Sequence, residues 1–103
     1  MRIAAIIIAS QLAFAAVASA DEVTVGQAGK AFNPADVQVK VGDSVTFNND
    51  DKVTHAVLVK GPHETNLGQM KPGDAKSVTL DEAGTYDVKC AIHPKMKLTI
   101  TVQ

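Results

Sequence analysis

Residues 85–102 read Thr85-Tyr-Asp-Val-Lys-Cys90-Ala-Ile-His93-Pro-Lys-Met96-Lys-Leu-Thr-Ile-Thr-Val102. Thr85–Lys89 and Lys97–Val102 alternate apolar and polar residues, and both are rich in Val, Thr, Ile or Tyr. Strict period-two alternation of such residues marks a half-buried β-strand. Between them, Cys90–Met96 loses the alternation and contains Pro94, so it reads as a loop joining two strands.

The same period continues outward. Glu22–Gly26, Asp36–Lys40, Ser44–Asn48 and Lys76–Leu80 alternate, and Thr54-His-Ala-Val-Leu-Val59 is a more continuously apolar strand. Turn-forming residues separate them at Val41-Gly-Asp43, Asn48–Asp51, Pro72-Gly-Asp74 and Asp81–Gly84. Seven short strands at this spacing predict an all-β domain, a sandwich or a small barrel. The longest connection, residues 61–75, has room for one turn of helix around Glu64–Gln69, limited by Gly61-Pro62, Gly68 and Pro72-Gly73. If successive strands run up and down, one end of the domain collects residues 48–55, the region around Met70–Gly73, and residues 90–97.

The first twenty residues differ from the rest. Met1-Arg2 is followed by an apolar run from Ile3 to Val17, broken only by Ser10 and Gln11, and then by Ala18-Ser19-Ala20. A positive start, a short apolar stretch and a small-x-small end form a secretory signal peptide. The expected division is a signal at 1–20 and one domain at 21–103, with the periplasm as destination. The chain has 103 residues, one Cys, no Trp and a formal charge of −1. Residues 21–103 hold nine Lys and eleven Asp plus Glu. That balance lacks the basic stripe a nucleic-acid partner requires. One Cys excludes an internal disulfide framework. A small exported domain without disulfides often relies on a metal or a partner.

Cys90, His93 and Met96 place a thiol, an imidazole and a thioether at three-residue intervals in one loop. These soft and borderline donors together suit copper. His55, at the start of the strand returning from the same end, is placed to supply a second imidazole. Chance produces His at +3 and Met at +6 from a given Cys on the order of once in a thousand. The plainer reading is a buried free Cys, a core Met and a surface His. An exported free thiol beside a His is an oxidation hazard unless it is used.

On these residues the chain resembles the cupredoxin family of type I blue copper proteins. Phe32–Asn48 is similar to the family's opening strands, Asp50–His55 to the segment ending in its first His ligand, and Ala83–Cys90 to the strand leading into its Cys. The resemblance implies a Greek-key β-sandwich of about seven to eight strands. It implies one copper ion, with His55, Cys90 and His93 as equatorial ligands and Met96 as the axial one. The chain departs from the family pattern at Ala56, where Asn is usual, at Val53-Thr54, where Pro or an aromatic is favoured, and at Lys97-Leu98, where a Gly is frequent. The Ala56 backbone N–H retains the capacity to donate to the Cys90 sulfur.

The implied function is a soluble one-electron carrier using Cu(II)/Cu(I), not an enzyme, since the apparent site holds no paired acid and base or activated Ser. Redox partners such as a cytochrome, dehydrogenase or oxidase would dock at an apolar patch of Val53, Met70, Ile92 and Pro94 around His93. No stable membrane association after signal cleavage and a monomeric state are expected. A copper-handling protein and an accessory module of a larger redox complex are the competing classes. His63 reads as a solvated loop residue or a secondary metal contact. Met70 reads as a patch residue or an alternative axial ligand. Asp50-Asp51 reads as a turn, and Lys89, Lys95 and Lys97 as solvated charges that could ring the site.

Overall fold

The computed structural model describes residues 20–103. The expected export signal at 1–20 therefore lies, but for its last residue, outside the described residues. The described chain contains nine strands and no helix. They are β1 (Glu22–Ala28), β2 (Ala31–Asn33), β3 (Asp36–Val39), β4 (Ser44–Asn49), β5 (His55–Lys60), β6 (Thr65–Met70), β7 (Ala75–Thr79), β8 (Gly84–Cys90) and β9 (Lys97–Val102). One sheet has the order β2-β1-β4-β7 and the other β3-β9-β8-β5-β6.

The alternation in the sequence becomes alternation of burial. Val45, Phe47 and Asn49 of β4 point inward, as do Tyr86, Val88 and Cys90 of β8 and Leu98, Ile100 and Val102 of β9. Phe47 and Tyr86 are fully buried, and Phe32 meets Phe47 edge-on with centroids 6.0 Å apart. Each wholly buried large side chain contributes about 1.5–3 kcal/mol through removal of apolar surface from water. Tyr86 keeps its polar end satisfied by donating its hydroxyl to the Glu82 carbonyl at 2.9 Å. Burial, reinforced by the Glu82 and Asp81 charges, pushes its phenol pKa up.

Two expectations change. The connection 61–75 carries no helical turn; Thr65–Met70 is an edge strand paired antiparallel with β5. The register slips between Val57 and Leu58, opposite the stretch where Gly68 adopts a φ of 75°. This irregularity removes the clean period-two pattern. The second addition is β2, a three-residue strand that folds back on β1 through a two-residue turn. Gly29 and Lys30 in that turn both have positive φ, 62° and 58°, as a type I′ hairpin requires.

Strand directions agree with the up-and-down expectation. β4 is antiparallel to β7, and β5 is antiparallel to both β6 and β8. The loops 50–54, 71–74 and 91–96 therefore share one end of the sandwich.

At the other end Asp43 closes the turn into β4. Its carboxylate accepts the Lys40 N–H at 2.8 Å and the Asp21 N–H at 3.0 Å. These bonds, Lys40 first, hold its pKa below the ordinary 3.8. A depressed carboxylate pKa contributes stability that is fully present above the unfolded value and lost as pH falls through the folded one. The stability difference between wild type and Asp43→Asn is thus expected to be constant near neutral pH. It should shrink below the ordinary value of 3.8, as followed by urea unfolding across pH. A difference independent of pH would remove the charged carboxylate from the account.

Candidate metal centre

His55 is the first residue of β5 and Cys90 the last of β8. The β5–β8 ladder pairs Val57 with Cys90. The pairing brings the strand ends side by side, and the loop after Cys90 brings His93 over them. His55 Nδ1 and His93 Nδ1 are 3.1 Å apart, and each is 3.7 Å from Cys90 Sγ. A point equidistant from these three atoms lies roughly 2 Å from each, close to the bonding distance of a first-row ion to imidazole nitrogen. His55 and Cys90 are buried and His93 is partly exposed. A thiolate and two imidazoles match the preference of copper for soft and borderline donors. The residues fit a copper ion.

Met96 belongs to the same loop and is buried. Its N–H donates to the His93 carbonyl at 2.9 Å and its carbonyl accepts the Cys90 N–H at 3.4 Å. The loop is thereby closed on itself, with its thioether on the core side.

The surroundings of the donors are also built. The Ala56 N–H lies 3.3 Å from Cys90 Sγ, and the Ala91 N–H donates to the Ala56 carbonyl at 2.8 Å. Backbone groups of Ala56, in β5, thus tie that strand to Cys90 and the loop after it.

Asp51, read from sequence as part of a turn, touches the site directly. Its Oδ2 lies 3.0 Å from His55 Nε2 and also accepts the Lys30 N–H at 3.0 Å. Its Oδ1 accepts the Lys52 N–H at 2.9 Å. The Lys30 bond first, then the His55 ring and the Lys52 bond, hold its pKa down at about 2. An ionised carboxylate on Nε2 fixes the proton there and leaves Nδ1 with a free lone pair, the form a ligand needs. Asp51→Ala is expected to weaken copper binding about 10–100-fold, the usual effect of removing a carboxylate behind a ligating imidazole. Chelator competition measures it. An unchanged affinity would show that the β4–β5 loop alone fixes the ring.

Asn49 completes the support. Its Nδ2 donates to the carbonyls of Val53 and Met70 at 2.9 and 2.8 Å, and its Oδ1 accepts the Asp51 N–H at 2.9 Å. One buried amide therefore stitches β4, the loop before His55 and the end of β6.

Met70 departs from the expected surface patch. It pairs with His55 across β5 and β6, is fully buried, and receives a hydrogen bond from Gln27 Nε2 to its sulfur at 3.4 Å. As the last residue of β6 it faces the core. The exposed apolar residues of this end are Val53, 38% exposed, and Ile92, 48% exposed, with Pro94 beside His93. His63 lies between β5 and β6 at the opposite end, edge-on to Tyr86 at 5.3 Å. It takes no part in the site.

Residues 19–103 match the family model described as copper binding proteins, plastocyanin/azurin family. The chain is 36% identical over 107 residues to amicyanin of Paracoccus denitrificans, covering 93% of this chain and 77% of that protein. It is 35% identical over 108 residues to pseudoazurin of Methylorubrum extorquens, covering 97% and 73%. A solved structure of a reduced amicyanin variant superposes with a TM-score of 0.74 at 34% identity, covering 86% of this chain and 88% of that one.

Proposed function

The chain belongs to the plastocyanin/azurin family of copper-binding proteins, and from that premise we propose that it works as a soluble periplasmic one-electron carrier. His55, Cys90 and His93 would hold the copper, with Met96 as the axial donor. Residues 1–20 would be the export signal and 21–103 the working domain. The carrying observation is the triangle of His55 Nδ1, His93 Nδ1 and Cys90 Sγ, two of them on strand ends and His93 on the loop between β8 and β9, where it is the one partly exposed corner.

Bound copper supplies the Cu(II)/Cu(I) couple. The protein's part is to keep the donors still. His55 is locked between the β5 backbone and Asp51, and Cys90 between β8 and the Ala56 N–H. Rigid elements limit the rearrangement of donors that a change of metal charge would otherwise drive. His93 is the partly exposed donor, bordered by Ile92 and Pro94. An electron would leave or enter at its ring edge. A small, largely apolar contact there suits brief encounters, in keeping with the size of transient redox interfaces.

The test is cyclic voltammetry and the optical spectrum of the copper-loaded protein. A reversible one-electron wave with an intense visible thiolate-to-copper band supports the carrier. Delivery of copper to an acceptor apoprotein, with no stable coloured form, would replace it by a copper-handling role. Met96→Leu separates the axial assignment: the band should persist while the potential moves. An unmoved potential would remove Met96 from the ligand set.

A further inference from the structure

Charge in this domain is split along the strand axis. Lys30, Lys52, Lys71, Lys89, Lys95 and Lys97 lie at the His93 end, all exposed. Asp50, Asp51 and Asp74 share that end, and Asp36 and Asp87 flank Thr99 just below Lys89 and Lys97. Asp51 is already engaged with His55 and the backbone of Lys30 and Lys52, and Asp74 with the Lys71 N–H. At the far end Asp21, Glu22, Asp43, Glu64, Asp81 and Glu82 are accompanied by Lys40, while Lys60 stands opposite Asp87. The chain is acidic in net terms, yet the end bearing His93 is basic.

Two details place the lysines close to His93. Lys30 and Lys95 line the shallow recess formed with Ile92, His93 and Pro94. Lys30 reaches it because the β1–β2 hairpin tip is pinned to Asp51 through its backbone N–H. Lys89 and Lys97 stand directly opposite each other across β8 and β9. Like charges in that relation destabilise a sheet.

We propose that the His93 end docks a partner protein whose surface presents carboxylates around an apolar spot, with Lys30, Lys95, Lys89 and Lys97 as the complementary cations. The inference rests on the carrier reading and specifies its partner. An uneven field of this kind orients an approaching anionic surface toward the basic end and raises the encounter rate, an effect that salt removes. Ile92 and Pro94 then make the apolar contact beside the His93 ring edge.

Two probes separate this inference from the carrier reading. The first is redox-inert hexacyanochromate(III), whose paramagnetic broadening of backbone amide signals reports where an anion sits. Broadening is expected around Lys30, Ile92 and Lys95, and none around Asp81 and Glu82. This arm needs no electron transfer, so it stands even if the protein proves not to be a carrier. The second is oxidation of the reduced protein by hexacyanoferrate(III), in which one electron passes to the iron complex and yields hexacyanoferrate(II). The net charge predicts a rate that rises with added salt. The basic end predicts a rate that falls. The double variant Lys30→Asp with Lys95→Glu should slow this oxidation about tenfold at low ionic strength and less than twofold at high. Its visible spectrum, recorded in parallel, shows whether the metal site is intact.

Lys97→Glu removes one cation of the basic end and should slow the same oxidation at low ionic strength. Broadening spread evenly over the surface, a rate that rises with salt, or head-to-tail dimers in sedimentation at low salt would each overturn the proposal.

Discussion

Cys90→Ser is expected to abolish the intense visible band of the copper-loaded protein and to weaken copper binding by more than about 100-fold, beyond the range set by residues that only support a ligand. The thiolate is the one strongly covalent, charged donor in the triangle. A serine hydroxyl stays protonated near neutral pH and offers only a weak neutral oxygen. The variant should still fold. Cys90 is buried, but Ser is smaller, and the Ala56 N–H at 3.3 Å from the sulfur can satisfy the new oxygen. Loss of colour with an unchanged β-sheet circular dichroism spectrum is therefore the expected pair of results. Retention of the band would mean that Cys90 does not hold the metal.

The approach of Cys90 and His93 was legible from residues 90–96 because donor chemistry and loop geometry act within one short segment. Cys90 and His93, three residues apart in one loop, need no long-range knowledge to be read as convergent. His55 followed from strand direction, since antiparallel β5 and β8 had to bring the start of one beside the end of the other. Asp51 did not follow. The residue type that favours turns is the same type that orients an imidazole. Only the fold of the β4–β5 loop shows that its carboxylate does both. The four-residue spacing to His55 was the available signal, and outside a helix that spacing carries no geometric meaning.

Met70 and β6 share one cause. Thr65-Asn-Leu-Gly-Gln-Met70 lacks alternation because β6 is an edge strand with an irregular register and a glycine at positive φ. Without the strand, the parity that turns Met70 inward cannot be read, and a methionine near the His93 end looks like a surface residue. Ala56 shows the reverse. Its departure from the family pattern removed a side chain but left the backbone N–H and carbonyl. These make the bridge to Cys90 and Ala91 because ladder geometry depends on the backbone alone.

Removal of copper is expected to lower the melting temperature by about 15–30 °C. A ligand that binds only the folded state stabilises it by RT ln(1 + [L]/Kd), about 4 kcal/mol at a thousandfold excess over Kd. For a domain of this size each kcal/mol is worth about 4–8 °C. The structure shows why the effect should fall on the His93 end. Beyond the β5–β8 ladder, the backbone and thiol join the His55 end of β5 to Cys90 and the loop after it, among the described residues, through the Ala91 N–H to Ala56 carbonyl bond and the Ala56 N–H to Cys90 sulfur contact. The lone pairs of His55, His93 and Cys90 converge within 3.1–3.7 Å, where they repel unless a proton or a cation lies between them. A shared metal ion turns that repulsion into a cross-link. The rest of the sandwich, centred on Phe47, Tyr86 and Ile100, is closed without it. Apoprotein should therefore keep its sheets at room temperature while amides 90–96 exchange faster than in the copper form. Copper binding by Cys and His in the unfolded chain reduces the shift and sets its upper limit. Calorimetry of the two forms at equal concentration decides it: melting within a few degrees of each other would show that protein contacts alone hold the ligand loops.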